Sequence, residues 1–456
     1  MPDSARDIAV KALRDRAGNV SARLRRLADQ ADLSPAERTL ATELALGTAR
    51  RRSTLQAVLN AYLARPGRQM KPSVGAVLLV GLYQLLFLDR VPDFAAVNEA
   101  VSQARRVAGP RQAGFVNGLL RGVLRGLSPA REGRGAPARD VIPLTPRTHR
   151  LADRGILPDP SEAPADYLAA AMSLPVPLVR RWLSRLRSVD EVADLGYHAN
   201  TRAPLIARVN ALKTTVAAAI TALADEGVEA EPHANGLSLI ITHSPAALTE
   251  LAAFRDGLFQ MQDPSASAVA LAAEVAPGMA VLDFCAAPGT KTTHLAELMG
   301  NRGSIVAADV SNEKLSRIES NCERLGVTIV STILAENAGS LEPNAFDVVL
   351  ADVPCTNTGV LARRAEARWR FSEQGLSRCV SDQKAIASAA AVFVKPGGRL
   401  VYSTCSIEPE EGPDVARWLC RQHRGLRIER GQMTLPGGAE SPARWHDGGY
   451  LAVMST

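Results

Sequence analysis

The sequence has few cysteines and no closely spaced pair of them. Only 6 of its 456 residues are cysteine, and none forms a CxxC pair. So few cysteines in a chain of this length do not make a disulfide framework, and the lack of CxxC argues against a zinc ribbon. We therefore expect reduced thiols, no metal site and a cytoplasmic protein.

Long apolar runs are lacking as well. The longest, VGAVLLVGLYQLLFL at 74–88, contains Gln84 and is shorter than the roughly 20 residues that a membrane-spanning helix needs. The beginning of the sequence is charged and lacks the apolar core of a signal peptide. The run at 74–88 is therefore predicted to be a buried helix.

Positive charge is concentrated near the beginning of the chain. The formal net charge is +6, yet residues 1–126 contain 18 arginines and 2 lysines against 10 aspartates and glutamates. Such a basic segment favours a polyanionic partner. The alternative is a general preference for arginine over lysine, which the composition also shows.

The chain is too long for one ordinary domain, and its pattern changes along its length. Residues 1–126 form a predicted helical domain, because apolar side chains recur at helical spacing from residue 5 onward. Residues 127–164 contain seven prolines and many charges, which predicts a mobile linker. Residues 165–260 combine predicted helices and strands, so a small α+β subdomain is expected there.

Residues 261–456 predict a sheet of parallel strands. Short apolar segments rich in β-branched residues alternate with helix-like segments, which is typical of a parallel sheet covered by helices on both faces. The predicted strands are MAVLDF (279–284), SIVAADV (304–310), VTIVSTIL (327–334), DVVLADV (347–353) and RLVYST (399–404). No GxGxxG motif is present, so a dinucleotide cofactor is not expected.

A small-residue loop follows the first of these strands, in LDFCAAPGTKTTHLAEL (282–298). Pro288 and Gly289 turn the chain, the small alanines admit a ligand, and the following helix presents free N–H groups. Asp309 ends the next strand, where an acid binds ribose hydroxyls in related folds. An ordinary strand–helix turn is the alternative. The predicted cofactor is S-adenosyl-L-methionine, and the predicted binding residues are Cys285, Ala286, Ala287, Pro288, Gly289, Thr290, Lys291, Asp309 and Asp352.

Two further cysteines follow predicted strands, Cys355 in DVPC and Cys405 in STCS. Ligands of doubly wound sheets bind beyond the carboxyl ends of the strands, so both thiols face one pocket if their strands are neighbours. One such cysteine is commonly a packing residue. Two of them, both in polar turns, favour chemistry.

Methylation at C5 of a pyrimidine needs a thiol of this kind. Addition of a thiolate to C6 activates C5 toward the methyl group, and a base must then remove the C5 proton before the thiolate leaves. Asp352 could hydrogen-bond the edge of the base, or it could simply cap a strand. Lys291 could stabilise the thiolate or the cofactor, or it could be a solvated lysine at a helix start.

These motifs resemble the Sun (Fmu) family of RNA cytosine-C5 methyltransferases over about residues 166–454. The resemblance implies that Cys405 is the nucleophile and that Cys355 assists product release. It also aligns Asn337 with the acid that the family places after its third strand, as a cofactor ligand. The matching blocks are RVNALKT (208–214), MQDPSA (261–266), LDFCAAPGTKT (282–292), FDVVLADVPCTNTGVLARR (346–364) and KPGGRLVYSTCSIEPEE (395–411).

Segments within residues 5–126 are similar to the NusB-type helical RNA-binding domain. They are LALGTARRRSTLQAVL, GLYQLLFLDRVPDFAAVNEAV (81–101) and GFVNGLLRGVLR (114–125). Together the two resemblances imply an all-α NusB-like domain, a small α+β RNA-binding subdomain and an α/β Rossmann-like class I methyltransferase domain. They imply small-subunit (16S) rRNA as the substrate. The candidate phosphate contacts are Arg50, Arg51, Arg52, Arg121 and Arg125, each of which could instead belong to a solvated face.

The sequence departs from the family pattern at several positions, including Thr290 in PGTK, Asn357 in PCTNTG, and RRAEAR at 363–368. None of these changes touches Cys355, Cys405 or Asp352. We expect an active, monomeric rRNA cytosine-C5 methyltransferase. Two alternatives remain open: an RNA-binding or ribosome-assembly factor with little turnover, and a tRNA cytosine-C5 methyltransferase.

Overall fold

The computed structural model describes residues 3–14, 19–65 and 70–456. The chain divides into two units, of which unit 1 contains residues 1–201 and 361–370, and unit 2 contains residues 202–360 and 371–456.

Unit 1 is mostly helical, as the spacing of apolar residues predicted. Its helices are α1 (Ala5–Leu13), α2 (Val20–Gln30), α3 (Pro35–Arg50), α4 (Arg52–Tyr62), α5 (Pro72–Phe87), α6 (Asp93–Ala108), α7 (Pro110–Gly126), α8 (Pro164–Ala171), α9 (Val176–Leu186) and α10 (Val189–Asn200). Ser34 and Glu37 form a reciprocal capping box that begins α3. Positions 15–18 and 66–69 of the predicted helical segment lie outside the described residues.

Helix α5 holds the longest apolar run and is the centre of unit 1. It begins at Pro72, and eleven of its residues are buried, Gln84 among them. It contacts α1, α3, α4, α6 and α7. The prediction of a buried helix is confirmed, and no helix within the described ranges is long and apolar enough to cross a membrane.

The segment 127–164, predicted to be a mobile linker, contains regular structure. This segment forms a three-stranded antiparallel sheet from β1 (Arg131–Glu132), β2 (Val141–Thr145) and β3 (Thr148–Leu151), in the order β1-β3-β2. Ile142 is fully buried and Val141 and Leu144 are nearly so. The short apolar run VIPL therefore anchors the segment in a core, although prolines and charges dominate its composition.

The boundary predicted at residue 165 also differs from the structure. Helices α8 to α10 belong to unit 1, and so does the segment 361–370. Arg368 explains the placement of that segment, because its fully buried guanidinium donates to the carbonyl oxygens of Ala199 (2.7 Å) and Ser173 (3.0 Å). The RRAEAR sequence thus supplies a structural arginine to unit 1.

Unit 2 begins with a four-stranded antiparallel sheet. Its strands are β4 (Leu205–Val209), β5 (Glu229–Pro232), β6 (Ser238–His243) and β7 (Phe259–Met261), in the order β5-β6-β4-β7. Helix α11 (Val216–Asp225) and the short α12 (Ala252–Arg255) complete this part. The combination of helices and strands predicted within residues 165–260 is confirmed.

A seven-stranded sheet forms the rest of unit 2, in the order β10-β9-β8-β11-β12-β14-β13. Its strands are β8 (Ala280–Asp283), β9 (Ser304–Asp309), β10 (Val330–Leu334), β11 (Phe346–Asp352), β12 (Val394–Thr404), β13 (Arg427–Thr434) and β14 (Gly449–Ser455). Helices pack around it: α13 (Pro264–Ala272), α14 (Thr290–Leu298), α15 (Asn312–Leu325), α16 (Glu373–Ala391) and α17 (Pro413–Gln422).

The sheet is mixed, whereas the sequence predicted parallel strands only. The five predicted strands are parallel, but β14 pairs antiparallel with β12 and with β13. Strand β13 was not predicted because six of its eight residues are exposed at the sheet edge, where an apolar pattern is not required. The α/β prediction for this part of the chain is otherwise confirmed.

The strand order reverses between β8 and β11. Strands β9 and β10 extend the sheet on one side of this point, and β12, β14 and β13 extend it on the other. A crevice forms at such a switch point, beyond the carboxyl ends of the strands. The loops that follow β8, β9, β11 and β12 therefore meet at one edge of the sheet.

Candidate active site

The loop after β8 is held by backbone hydrogen bonds, one within the loop and one to β9. Ala286 N–H donates to the carbonyl of Ala308 (3.0 Å), and Gly289 N–H donates to the carbonyl of Ala286 (2.7 Å). Gly289 has a φ of 91° at the start of α14. A Cβ added there would lie 3.2 Å from Ile318 in a conformation that side chains rarely adopt, so glycine is required.

Asp309 fixes this loop to the end of β9. Its carboxylate accepts from the backbone N–H of Ala287 (2.9 Å) and of Val310 (2.7 Å), and it pairs with Lys314 (2.7 Å). Burial alone would raise the pKa of Asp309, but Lys314 and the two backbone donors outweigh it and lower that pKa. The residue predicted to bind ribose therefore also holds the loop in place.

A buried arginine of the four-stranded sheet supports the beginning of α14. Arg208 in β4 forms a fully buried ion pair with Glu297 (2.6 Å) and donates to the carbonyl of Thr290 (3.0 Å). Burial and the positive charge of Arg208 together lower the pKa of the neighbouring His294 to about 3. Arg208 thus fixes the first turn of α14 in place.

Cys355 and Cys405 lie side by side in the crevice. Their strands, β11 and β12, are adjacent and parallel, with Asp352 opposite Ser403 in the register. The two Sγ atoms are 2.9 Å apart. The condition on which the sequence argument depended, that the two strands are neighbours, is met.

The loop after β11 shapes the environment of both thiols. Asn357 has a φ of 64°, its amide donates to the carbonyl of Cys355 (2.8 Å), and its side-chain oxygen lies 3.4 Å from the Cys405 sulfur. The pKa of Cys355 is raised well above its usual value, first by the hydrogen bond with Cys405, then by burial and by the charge of Glu411. Cys355 therefore holds its proton.

A lysine–aspartate pair lies next to the thiols. Lys291 Nζ is 2.6 Å from one oxygen of Asp352, and the other oxygen accepts from the Ser403 hydroxyl (2.6 Å). Burial would lower the pKa of Lys291, but Asp352 and the charges of Asp283 and Cys405 outweigh burial and raise it. The ammonium group of Lys291 therefore lies close to Cys405 while it is paired with Asp352.

These side chains line one cavity of about 330 Å³. Lys291, Asp352 and Cys405 contribute to its wall, and so do Arg430, Gln432 and Tyr450 of β13 and β14. Cys355 is not among the residues that line the cavity. A planar ligand in this cavity would meet Cys405 first.

Comparison with known proteins places the chain in a family. Residues 270–442 match the model of the 16S rRNA methyltransferases RsmB/F, residues 3–125 match the NusB family, and residues 175–249 match the ferredoxin-like domain of RsmF/B-like methyltransferases. A probable ribosomal RNA small subunit methyltransferase B of Bacillus subtilis is 32% identical over 92% of this chain and 89% of its own length. This chain belongs to the RsmB/F family of methyltransferases.

Other relatives cover the chain as completely. A probable ribosomal RNA small subunit methyltransferase B of Synechocystis is 32% identical over 95% of this chain and 93% of its own length. The crystal structure of PH0851 covers 100% of both chains with a TM-score of 0.74 at 24% identity, which shows a shared fold. The predicted fold class is confirmed, with a NusB domain, a ferredoxin-like subdomain and a methyltransferase domain.

The cofactor of this RsmB/F-family chain is S-adenosyl-L-methionine, and the crevice has the polarity that it requires. Asp283, Asp309 and Asp352 lie close together, and only Asp309 and Asp352 pair with a lysine. Asp283 is fully buried, accepts from the Thr292 hydroxyl (2.7 Å), and has a second oxygen without a hydrogen-bond partner among the described residues. Burial raises its pKa to about 7. A cationic ligand group would satisfy this carboxylate.

Two of the predicted cofactor residues of this RsmB/F-family chain lie in contrasting surroundings. Burial and the neighbouring carboxylates raise the pKa of Cys285 to about 12, so its thiol stays neutral. Asn337 lies in an exposed turn after β10, outside the residues that line the cavity. Its cofactor role remains a prediction.

The structure corrects the predicted RNA-binding role of Arg51, the middle one of three consecutive arginines in unit 1. Arg51 is almost fully buried, donates to the carbonyl of Leu144 and lies over the Phe87 ring at 4.5 Å. A phosphate cannot reach it, and burial lowers its pKa to about 10. Arg50 donates to the carbonyl of Ala362 (3.2 Å), and Arg52 lies over the Trp369 ring at 5.8 Å. Arg51 is therefore structural, whereas Arg50 and Arg52 are half-buried and stay predicted phosphate contacts.

Two of the five predicted arginines are on the surface. Arg121 and Arg125 are exposed on α7, one turn apart, and Arg121 donates to the side chain of Asn117 (3.0 Å). They remain candidate phosphate contacts.

Sequence reasoning missed several residues of the site. Asp283 lies in the LDF sequence directly before the predicted loop. The sequence analysis used this motif to find the loop but did not identify Asp283 as a residue of the site. Ser403 and Glu411 lie in the block around Cys405, where only the thiol was singled out. Arg208 lies in the RVNALKT block, but its contact with α14 joins positions about 80 residues apart and has no local signal.

Proposed function

We propose that this enzyme methylates C5 of a cytosine in small-subunit rRNA, with Cys405 as the nucleophile and Cys355 as the group that assists release. The observation that carries the proposal is the pair of sulfur atoms, 2.9 Å apart, at the ends of adjacent strands beside Lys291 and Asp352. The choice of rRNA rests on relatives named as small-subunit rRNA methyltransferases and on the NusB-family match.

The positions of the two thiols support these different roles. Cys405 lines the cavity and has Lys291 nearby, whereas Cys355 is not among the lining residues and has a raised pKa. A nucleophile must reach the substrate and must be available as a thiolate. The lining of the cavity favours Cys405 on the first requirement, and the raised pKa of Cys355 argues against that thiol on the second.

Cys405 and Cys355 are assigned to the steps at sulfur. The Cys405 sulfur forms a bond to C6 as the C5–C6 double bond opens, which makes C5 electron-rich; the bound S-adenosyl-L-methionine supplies the methyl group that C5 takes up, leaving S-adenosyl-L-homocysteine. A base then takes the C5 proton, and the electron pair of that C–H bond restores the double bond as the carbon–sulfur bond breaks and Cys405 leaves as a thiolate. Cys355, in contact with Cys405, assists this last step.

Asp352 and Lys291 orient the base in this proposal. The Ser403 hydroxyl and Lys291 hold both oxygens of Asp352, so the carboxylate has a fixed direction at the cavity wall. A carboxylate there can accept from the exocyclic amino group of cytosine, which uracil lacks. This contact would favour cytosine over uracil.

The direct test uses small-subunit rRNA from a strain that lacks the enzyme, together with labelled S-adenosyl-L-methionine. Wild type should transfer label that appears as 5-methylcytidine after digestion, and Cys405→Ala should transfer none. Cys420→Ala, a thiol on α17 away from the cavity, is the matched control and should behave as wild type.

The alternatives give different results in the same assay. Methylation of tRNA in preference to rRNA would replace the substrate in the proposal. Binding of RNA or cofactor by wild type without transfer to rRNA, small subunits or tRNA would indicate a binding or assembly factor instead.

A further inference from the structure

Glu411 is a fully buried carboxylate between the two thiol loops. It ends the 3-10 turn Pro409–Glu411 and is 0% exposed. No lysine, arginine or histidine among the described residues forms an ion pair with it. A buried charge of this kind is costly unless hydrogen bonds compensate for it, so its partners indicate its purpose.

Four donors compensate for the charge, and three of them belong to the thiol loops. One oxygen accepts from the backbone N–H of Thr356 (2.9 Å) and from the Gln383 amide (2.8 Å). The other accepts from the hydroxyls of Thr356 and Ser406. Thr356 directly follows Cys355, and Ser406 directly follows Cys405.

The directions of the surrounding hydrogen bonds require an acceptor at position 411. A carboxylate oxygen only accepts, so the single proton of the Ser406 hydroxyl is donated to Glu411. The Ser406 oxygen in turn accepts from the Glu408 N–H (3.1 Å) and lies 3.0 Å from the Thr358 hydroxyl, which itself accepts from the Ile407 N–H (3.0 Å). Ser406 is therefore the donor, and residue 411 the acceptor, in the contact between them.

A glutamine at position 411 would have the same shape and the wrong polarity. Its amide group would face either the two N–H donors of Thr356 and Gln383 or the hydroxyls of Thr356 and Ser406, both of which donate to Glu411 in wild type. At least one buried donor would then lose its acceptor, which is unfavourable. Relief of that conflict requires one thiol loop to move relative to the other.

We propose that Glu411 is a positioning residue for methyl transfer, which holds the Cys355 and Cys405 sulfur atoms against each other by accepting hydrogen bonds from both loops. The proposal deepens the proposed function and rests on it, because the two sulfur atoms matter only if both take part in the reaction. Gln383 extends the same arrangement, since its amide also donates to the carbonyl of Pro354 (2.9 Å), next to Cys355.

The first test separates catalysis from binding. Glu411→Gln should lower kcat by on the order of 100-fold, as expected when reacting groups are displaced by about 1 Å, while KM for S-adenosyl-L-methionine changes less than about threefold. Glu429→Gln, on the exposed edge strand β13, is the matched control and should leave both constants as in wild type. An unchanged kcat in Glu411→Gln would overturn the proposal.

The second test does not depend on methyl transfer. Diamide oxidises two neighbouring thiols to a disulfide and is itself reduced to the hydrazine, taking up two electrons and two protons. Wild type should form the Cys355–Cys405 disulfide rapidly, and Glu411→Gln should form it at least about tenfold more slowly, as measured by mass spectrometry of non-reduced peptides. Equal rates would overturn the proposal.

The two tests also distinguish failure of the proposed function from failure of this inference. If wild type methylates no RNA but Glu411→Gln slows disulfide formation, the positioning role stands and the function falls. If Glu411→Gln does not fold, Ser406→Ala removes one donor to the same carboxylate and should lower both rates by a smaller factor. Wild-type rates in a folded Ser406→Ala would count against the proposal.

Discussion

The two sides of the crevice are built on different principles. The loops after β8 and β9 are fixed largely by backbone hydrogen bonds, and the Asp309 carboxylate serves that backbone. The loops after β11 and β12 are fixed by side chains, which place two thiols and one carboxylate at defined points. A cofactor needs a shaped surface, whereas a reaction needs particular atoms, and the two sides differ accordingly.

Lys291 connects the two sides of the crevice, so its substitution should have the largest effect on activity. It stands on α14 and pairs with Asp352 at the end of β11 (2.6 Å). Lys291→Met should lower kcat by about 100- to 1,000-fold, because an electrostatic contact beside the reacting thiol is lost. Steady-state kinetics with labelled S-adenosyl-L-methionine would measure this.

Lys395 provides a matched control for that variant. It lies near the start of β12 and pairs with Asp347 near the start of β11, at the opposite end of these strands from the crevice. Lys395→Met breaks a lysine–aspartate pair outside the crevice and should leave kcat close to the wild-type value. Equal losses in both variants would indicate a general loss of sheet stability and would refute the specific role of Lys291.

Asp309 should affect the cofactor side alone. Asp309→Ala leaves the N–H groups of Ala287 and Val310 without their acceptor, which loosens the loop. A lost hydrogen bond to a charged group costs about 1.5–3 kcal/mol, so the Kd for S-adenosyl-L-methionine should rise by about 10- to 100-fold. Calorimetry measures this, and the diamide reaction of the two thiols should keep its wild-type rate. An unchanged Kd, or slower disulfide formation, would remove the division between the two sides.

Asp283 gives the smallest predicted effect, on stability. Its pKa is raised from 3.8 to about 7 by burial, so its contribution to stability is lost as pH rises from about 4 toward 7 and remains lost above that. Asp283→Asn removes the titrating group without changing the shape. Without cofactor, the variant should gain Tm relative to wild type, and the gain should be larger at pH 8 than at pH 5.

Thermal unfolding at the two pH values tests this, and the full difference corresponds to a few kcal/mol at most. The same variant should bind S-adenosyl-L-methionine more weakly, since it no longer offers a charge. A gain in Tm that is equal at both pH values would show that Asp283 does not titrate in this range.

The sequence was sufficient for features that are local in the chain. The five parallel strands, the loop after β8 and both thiols follow from short motifs, and the order of the strands then brings Cys355 and Cys405 together. Regular strand–loop–helix units place their functional residues at strand ends. This is why the sequence alone could predict that the two thiols lie close together.

Features that depend on distant contacts could not be predicted. Arg51 and Arg368 lie in basic sequences that are typical of RNA-binding surfaces, yet their guanidinium groups are buried against carbonyl oxygens. The β1–β3 sheet lies in a proline-rich segment, and β13 lies at an exposed edge. In each case tertiary packing outweighs composition. No recurrence of apolar residues with a period of 2 or 3.6 indicates that packing in the sequence.

The central claim is that Cys405 forms a covalent bond with the RNA base and that Cys355 helps to break it. The measurement that tests it most directly is trapping of the adduct by Cys355→Ala on labelled small-subunit rRNA with S-adenosyl-L-methionine, followed by a denaturing gel and peptide mapping. The account predicts an adduct at Cys405 that disappears in the Cys355→Ala, Cys405→Ala double variant. An adduct that persists in the double variant, or one mapped to another residue, would contradict it.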